Sequence, residues 1–124
     1  MTTLLIKDQP AGTEFDVSGH TYTDIQVINS PGVRIFGSPN NRGTVISTGR
    51  KPVFIDASSV NCTVEYLDLL GRADAQNAGY LAWSQAEWQA VPNAVACQST
   101  GGTFRFIRIY GAENGITVQA HGTI

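Results

Sequence analysis

Two short segments carry four residues whose types and spacing suit shared chemistry. Cys62-Thr-Val-Glu-Tyr-Leu-Asp-Leu-Leu-Gly71 aligns without a gap on Gly102-Thr-Phe-Arg-Phe-Ile-Arg-Ile-Tyr-Gly111, apolar against apolar, and glycine closes both. The match sets Glu65 opposite Arg105 and Asp68 opposite Arg108. A carboxylate beside a guanidinium suits proton abstraction, and acid groups can hold calcium. Opposite charges on adjacent strands are also how a sheet avoids like-charge repulsion, and these pairs are read as structural bridges on an outer face. The same match stacks Tyr66 on Phe106 as an aromatic pair at a corner.

Other candidates are weaker. Glu14 and Asp16 alternate on an early strand, as a glycosidase pair would, but read more simply as two solvated charges. Asn29, Asp56 and Gln98 each precede a small-residue turn, which predicts a ladder of side chains satisfying turn backbone; Asp56 alone cannot supply a calcium site. His20 sits in a Gly-His-Thr turn and His121 in the last few residues, neither with a nucleophile or metal partner in view. Cys62 and Cys97 lack metal-type spacing and read as small core residues, with a disulfide between neighbouring strands as the alternative. No nucleophile elbow, zinc-protease motif or phosphate loop occurs. No catalytic residue, metal ligand or cofactor is assigned.

The best binding candidate lies in an apparent insertion over 72–93. Ser84-Gln-Ala-Glu87 matches a capping box, Trp83 and Trp88 stand where a hydrophobic staple would join them, and Pro92 stops the run. This predicts a two-turn helix near 84–91. Tyr80, Trp83 and Trp88 can either build that local core or offer flat rings to sugar C–H faces.

The elements that must position these residues are strands. Thirteen glycines and five prolines punctuate short β-branched runs, which reads as an all-β chain. Sorted by neighbours, the runs form a first set (25–28, 53–55, 94–96, 116–118), a second (33–35, 62–64, 103–105) and a third (14–17, 44–46, 67–69, 107–109). They always follow in that order, recurring every 22 to 29 residues or so, with one recurrence stretched to about 41 by the insertion, and a fixed period of this kind marks a solenoid. The spacing therefore predicts a parallel β-helix of about four short rungs, three strands per rung, roughly 20 Å tall. Gly32-Val-Arg-Ile-Phe-Gly37, Val60-Asn-Cys-Thr-Val-Glu-Tyr-Leu-Asp-Leu69 and Phe104-Arg-Phe-Ile-Arg-Ile109 resemble the right-handed parallel β-helix superfamily of pectate lyases, polysaccharide-degrading enzymes and phage tailspikes. The resemblance implies a scaffold and not a reaction.

Composition bounds the rest. At 124 residues and 42% apolar, the chain makes a single β-helix domain or a fragment of one, over 1–124. A net charge of −2 gives no basic footprint for nucleic acid or an anionic membrane. No apolar run spans a bilayer, and Met1-Thr-Thr-Leu-Leu-Ile6 has no export-signal pattern. An uncapped coil exposes unpaired backbone, which calls for further chain, a partner subunit or a symmetric assembly. Together with the resemblance, this predicts a structural or glycan-binding module of a phage tailspike- or fibre-like virion component. Its expected partners are itself, as a homo-oligomer such as a trimer, another virion protein, or a surface polysaccharide. The alternative is the N-terminal rungs of a polysaccharide lyase, hydrolase or epimerase. The expected location is the virion, or outside the cell after release.

Overall fold

β-Branched and aromatic residues fit a pleated surface better than a helix, and they dominate the runs between turns. In the computed structural model, which describes residues 2–46, 52–70, 95–110 and 116–118, every regular element is a strand. These are β1 (Thr2–Lys7), β2 (Glu14–Asp16), β3 (Thr21–Ile28), β4 (Arg34–Phe36), β5 (Gly43–Ile46), β6 (Val53–Ile55), β7 (Thr63–Leu70), β8 (Val95–Cys97), β9 (Thr103–Tyr110) and β10 (Ile116–Val118). All belong to one hydrogen-bonded sheet, and every pairing between them is parallel. The chain is all-β among the described residues. The helix expected over 84–91, with the insertion around it, lies outside them.

The register defines three ladders. In the first, β1–β3–β6–β8–β10, Leu4 lies beside Ile25, then Val53, Val95 and Ile116 in turn. In the second, β2–β4–β7–β9, the corresponding series is Phe15, Ile35, Val64 and Phe104. The third joins the start of β3, β5 and the ends of β7 and β9 through Tyr22, Val45, Leu69 and Ile109. Spacing groups residues 14–17 with 44–46 in the third set, but Glu14–Asp16 pair with Arg34–Phe36 in the second ladder. Thr21 and Tyr22 instead begin the third ladder. The cause is that β3, β7 and β9 are eight residues long and each serves two ladders, so reading every run as one short strand hid the first half of β3.

Within β7 and β9 the change of ladder takes a single residue, Tyr66 or Phe106, each at φ +56°. That left-handed residue resets the alternation, so Val64 on one side and Leu67 and Leu69 on the other are all fully buried. The core is aliphatic, with Ile25, Val27, Ile35, Val45, Val53, Ile55, Val64, Leu67 and Leu69 completely enclosed. Burying each such side chain contributes about 1.5–3 kcal/mol. Cys62 and Cys97 are buried and free, as small core residues would be, and no disulfide joins them. Their sulfurs face carbonyls: Cys62 Sγ lies 3.2 Å from Ser59 O and Cys97 Sγ 3.6 Å from Ser99 O. Burial pushes the Cys62 thiol above its ordinary value. At the outer members of the second and third ladders, Phe15, Tyr22, Phe104, Ile107 and Ile109 pack against the core but are only partly buried.

Candidate functional site

The charged residues converge on the bend where β7 and β9 pass from the second ladder to the third. A left-handed conformation costs an L-residue other than glycine roughly 1–2 kcal/mol. Tyr66 and Phe106 offset part of that by stacking, with ring centroids 4.6 Å apart and planes 11° from parallel, an arrangement worth about 0.5–1.5 kcal/mol. The aromatic pair expected from the gapless match is therefore present. Gly37 occupies the corresponding place after β4, where its N–H donates to Glu65 O. A Cβ there would fall 2.7 Å from Gly43 N and closer still to the Tyr66 carbonyl, so only glycine fits.

On the second-ladder side of this bend, acid and base alternate across four strands. Arg34 Nη1 donates to Glu14 Oε2 at 2.7 Å and Arg34 Nε to Glu65 Oε1 at 2.7 Å. Arg105 Nη2 reaches Glu65 Oε2 at 2.7 Å. Glu65 is thus held between two guanidiniums and is only 3% exposed. Arg34 also lies 4.0 Å over the Phe36 ring. Its guanidinium is held above its ordinary value, first by the hydrogen bond to Glu14 and then by that to Glu65.

The third-ladder side repeats the theme. Arg108 grips Asp68 with two bonds, Nε to Oδ1 at 2.7 Å and Nη2 to Oδ2 at 2.9 Å, and the Asp68 hydrogen bond raises its pKa. Arg42 approaches Asp68 at 3.7 Å, lies 5.6 Å over the Tyr66 ring and donates to the Phe106 carbonyl. Both pairs expected from the match form in register. The expectation of an outer face is refined, because both carboxylates are buried beneath their exposed partners. Each of their oxygens already accepts from a guanidinium, so neither carboxylate is arranged as a general base.

The second polar ladder closes the first strand ladder. Asp8, Asp56 and Gln98 donate their backbone N–H groups to the preceding or following strand at Ile28, Val27 and Ile55. Asn29 Nδ2 donates to Asp8 Oδ1 at 2.8 Å, and Asn29 N–H donates to Asp56 Oδ2 at 3.1 Å. Asp56 also accepts from the Ser59 hydroxyl at 2.6 Å, the Ser58 hydroxyl and the Ser59 N–H. Burial opposes ionisation of Asp56, but these bonds from Ser59, Asn29 and Ser58 outweigh it and hold the carboxyl below its ordinary value. Buried Ser59 Oγ also accepts from Ser30 N–H at 2.9 Å. Asn29 and Asp56 are thus linked as a turn ladder, as expected.

Glu14 and Asp16 do not act as a pair. Glu14 bonds Arg34, whereas Asp16 Oδ1 accepts from Ser18 N–H at 3.0 Å, and the hydrogen bonds to Ser18 lower the Asp16 pKa. The His20 ring makes a tilted contact with Tyr22 at 6.3 Å and stands near enough to Asp16 to help lower its pKa, while its backbone bonds Val17 and Thr44. Tyr80, Trp83, Trp88 and His121 lie outside the described residues. Among the described residues, no group of three or more acidic, histidine or cysteine side chains is placed to hold a metal ion. No described helix is long and apolar enough to cross a membrane.

Arg34, Arg42 and Asp8 were missed by sequence reasoning. The signal for Arg34 lay in Gly32-Val-Arg-Ile-Phe-Gly37, a shorter copy of the matched segment, had its charge been carried into the same register. No protein-family model, curated protein or solved structure matches the chain.

Proposed function

We propose that the chain winds as a right-handed parallel β-helix and serves as a structural or glycan-binding module of a tailspike- or fibre-like virion component. The winding is supported by the order in which strands join the ladders: first, second, third, then first again, from β1 to β10. Parallel neighbours in one sheet require crossover connections, and about 98% of these are right-handed, which supports the right hand. Among the described residues the first ladder holds five strands and the other two hold four.

The observation that carries a non-catalytic module is the pairing of the outer charges. Glu14, Glu65 and Asp68 are bound by Arg34, Arg105 and Arg108, an arrangement that aligns stacked strands and leaves none of these three carboxylates poised for proton transfer. The virion setting rests on the resemblance of the matched segments to tailspikes. Its partners are other copies of the chain, in a trimer or larger closed assembly, or a further virion protein, with surface polysaccharide as ligand.

Two measurements test this. Light scattering on the 124-residue chain is expected to give a trimer or larger closed assembly. Incubation with polygalacturonate, alginate and bacterial capsule is expected to show binding without shortening of the polymer. Depolymerisation would overturn the module in favour of a lyase, hydrolase or epimerase of the same architecture.

A further inference from the structure

We infer that the two ends of the coil fit each other, so that a second copy of this chain docks head to tail on the first. The inference rests on the winding proposed above and is independent of the glycan reading. Inward side chains on the outermost described strands lack a full cover. Leu4, Phe15 and Tyr22 at one end, and Phe104, Ile107 and Ile109 at the other, are only partly buried, whereas the strands between them enclose theirs completely. Among the described residues β1, β2, β9 and β10 each find partners on one side only. An unpaired edge above an apolar interior is a template for another strand.

The strand count matches the ends to each other. From β1 to β10, both in the first ladder, the winding makes one strand more than four whole rungs. Turned by one side about the coil axis, a second copy lays its β1 over the first half of β9, its β2 over the second half and the start of its β3 over β10. Every open strand then meets an open strand, all parallel. The charges match as well, with Glu14 and Asp16 exposed at one end and Arg105 and Arg108 at the other. Phe15 packs inward between the two acids, and Ile107 and Ile109 pack inward on either side of Arg108. Alternation therefore allows two registers, and each seats an acid on Arg108: Phe15 over Ile107 brings Asp16 there, and Phe15 over Ile109 brings Glu14. Arg108 holds Asp68 through Nε and Nη2, which leaves Nη1 for a further acceptor. Arg34 sets the precedent within one chain, bonding Glu14 on the strand before it and Glu65 on the strand after it. On the neighbouring side, Leu4 over Phe104 lays the exposed Leu5 along the apolar stem of Arg105, whereas a slip of two residues would oppose Lys7 to Arg105. Such a contact joins unlike surfaces of identical chains and does not close, so copies add along the axis.

Sedimentation of the 124-residue chain across about a hundredfold range of concentration tests the contact. Mass is expected to rise throughout, in multiples of the unit that persists at high dilution. Glu14→Lys/Asp16→Lys at the acidic end and Thr103→Glu/Phe106→Asp at the basic end replace exposed side chains, and each is expected to hold the mass at that of the unit. Mixing the two variants is expected to restore association, because the intact basic end of the first meets the intact acidic end of the second. A mass that does not change with concentration, association of either variant equal to that of the native chain, or no recovery on mixing would overturn the contact. Urea unfolding at high dilution separates the contact from the winding beneath it. Leu69→Ala costing clearly more than Ile109→Ala keeps the coil even where the end contact fails, and equal losses reject both.

Discussion

The chain leaves its first ladder and passes between its second and third in two different ways. After β3, β6 and β8 it takes a turn of several residues, with Asn29, Asp56 or Gln98 at the start and Gly32, Asn61 or Gly101 at positive φ near the end. At Tyr66 and Phe106 it takes one residue and continues as strand. The longer turn has room to satisfy its own backbone with short side chains, and Asp56 gathers bonds from Ser58, Ser59 and the Asn29 backbone. The one-residue bend has no such room. Its stacking is held by rings, by ion pairs on both flanks and by Arg42 beneath. At these corners the longer turn is tied by hydrogen bonds from its own short side chains, and the one-residue bend by stacked rings and the ion pairs beside it.

The largest expected effect tests what both bends serve, the register of the enclosed columns. Leu69 is fully buried between Val45 and Ile109, and Leu69→Ala is expected to cost about 2–5 kcal/mol in urea unfolding. Ile109, its neighbour in the same column, is only partly buried, so Ile109→Ala should cost clearly less. Equal losses would mean that the column is not enclosed as described. Next comes Asp68, 6% exposed and gripped by Arg108. Asp68→Lys places a third cation beside Arg42 and Arg108 in a desolvated position and is expected to cost about 2–3 kcal/mol. Adding Arg108→Asp should recover part of that loss; no recovery would show that the bend does not depend on charge pairing.

The hydrogen-bonded turn predicts a smaller effect with a pH signature. Asp56→Asn weakens several acceptor bonds and is expected to cost about 1–2 kcal/mol at neutral pH. Because the folded carboxyl lies below its ordinary value, its contribution is complete above the unfolded value of about 3.9 and is lost as pH falls through the folded one. The native chain should therefore lose stability below about pH 4 more steeply than Asp56→Asn does. Parallel acid limbs for the two proteins would remove Asp56 as the hub of the turn.

The one-residue bend was the more legible of the two, for a physical reason. With no extra residues between ladders, β7 and β9 align without a gap, so Glu65 with Arg105, Asp68 with Arg108 and Tyr66 with Phe106 could be read directly. The polar positions Asn29 and Asp56 were legible as turn starts, but Asp8 was not, because the run Leu4–Lys7, which pairs without a gap with Ile25–Ile28, stood outside the sets grouped by spacing. The double service of β3 misplaced Glu14–Asp16. Burial of Glu65 and Asp68 was not legible either, since it depends on Arg34 and Arg42 closing over them from strands and loops of different lengths.

The smallest expected effect bears most directly on why the compact bend carries aromatic rings. Tyr66 sits at φ +56° between the stacked Phe106 ring and the Arg42 guanidinium. Tyr66→Asn relieves roughly 1 kcal/mol of backbone strain and forfeits roughly 0.5–1.5 kcal/mol of ring stacking, so the two nearly cancel. The net change in urea unfolding should stay within about 1 kcal/mol of zero. A loss well beyond that would mean that the rings, rather than the ion pairs beside them, hold the bend together. A clear gain would mean that strain at Tyr66 outweighs its stacking, and that the ion pairs beside it suffice to hold the bend.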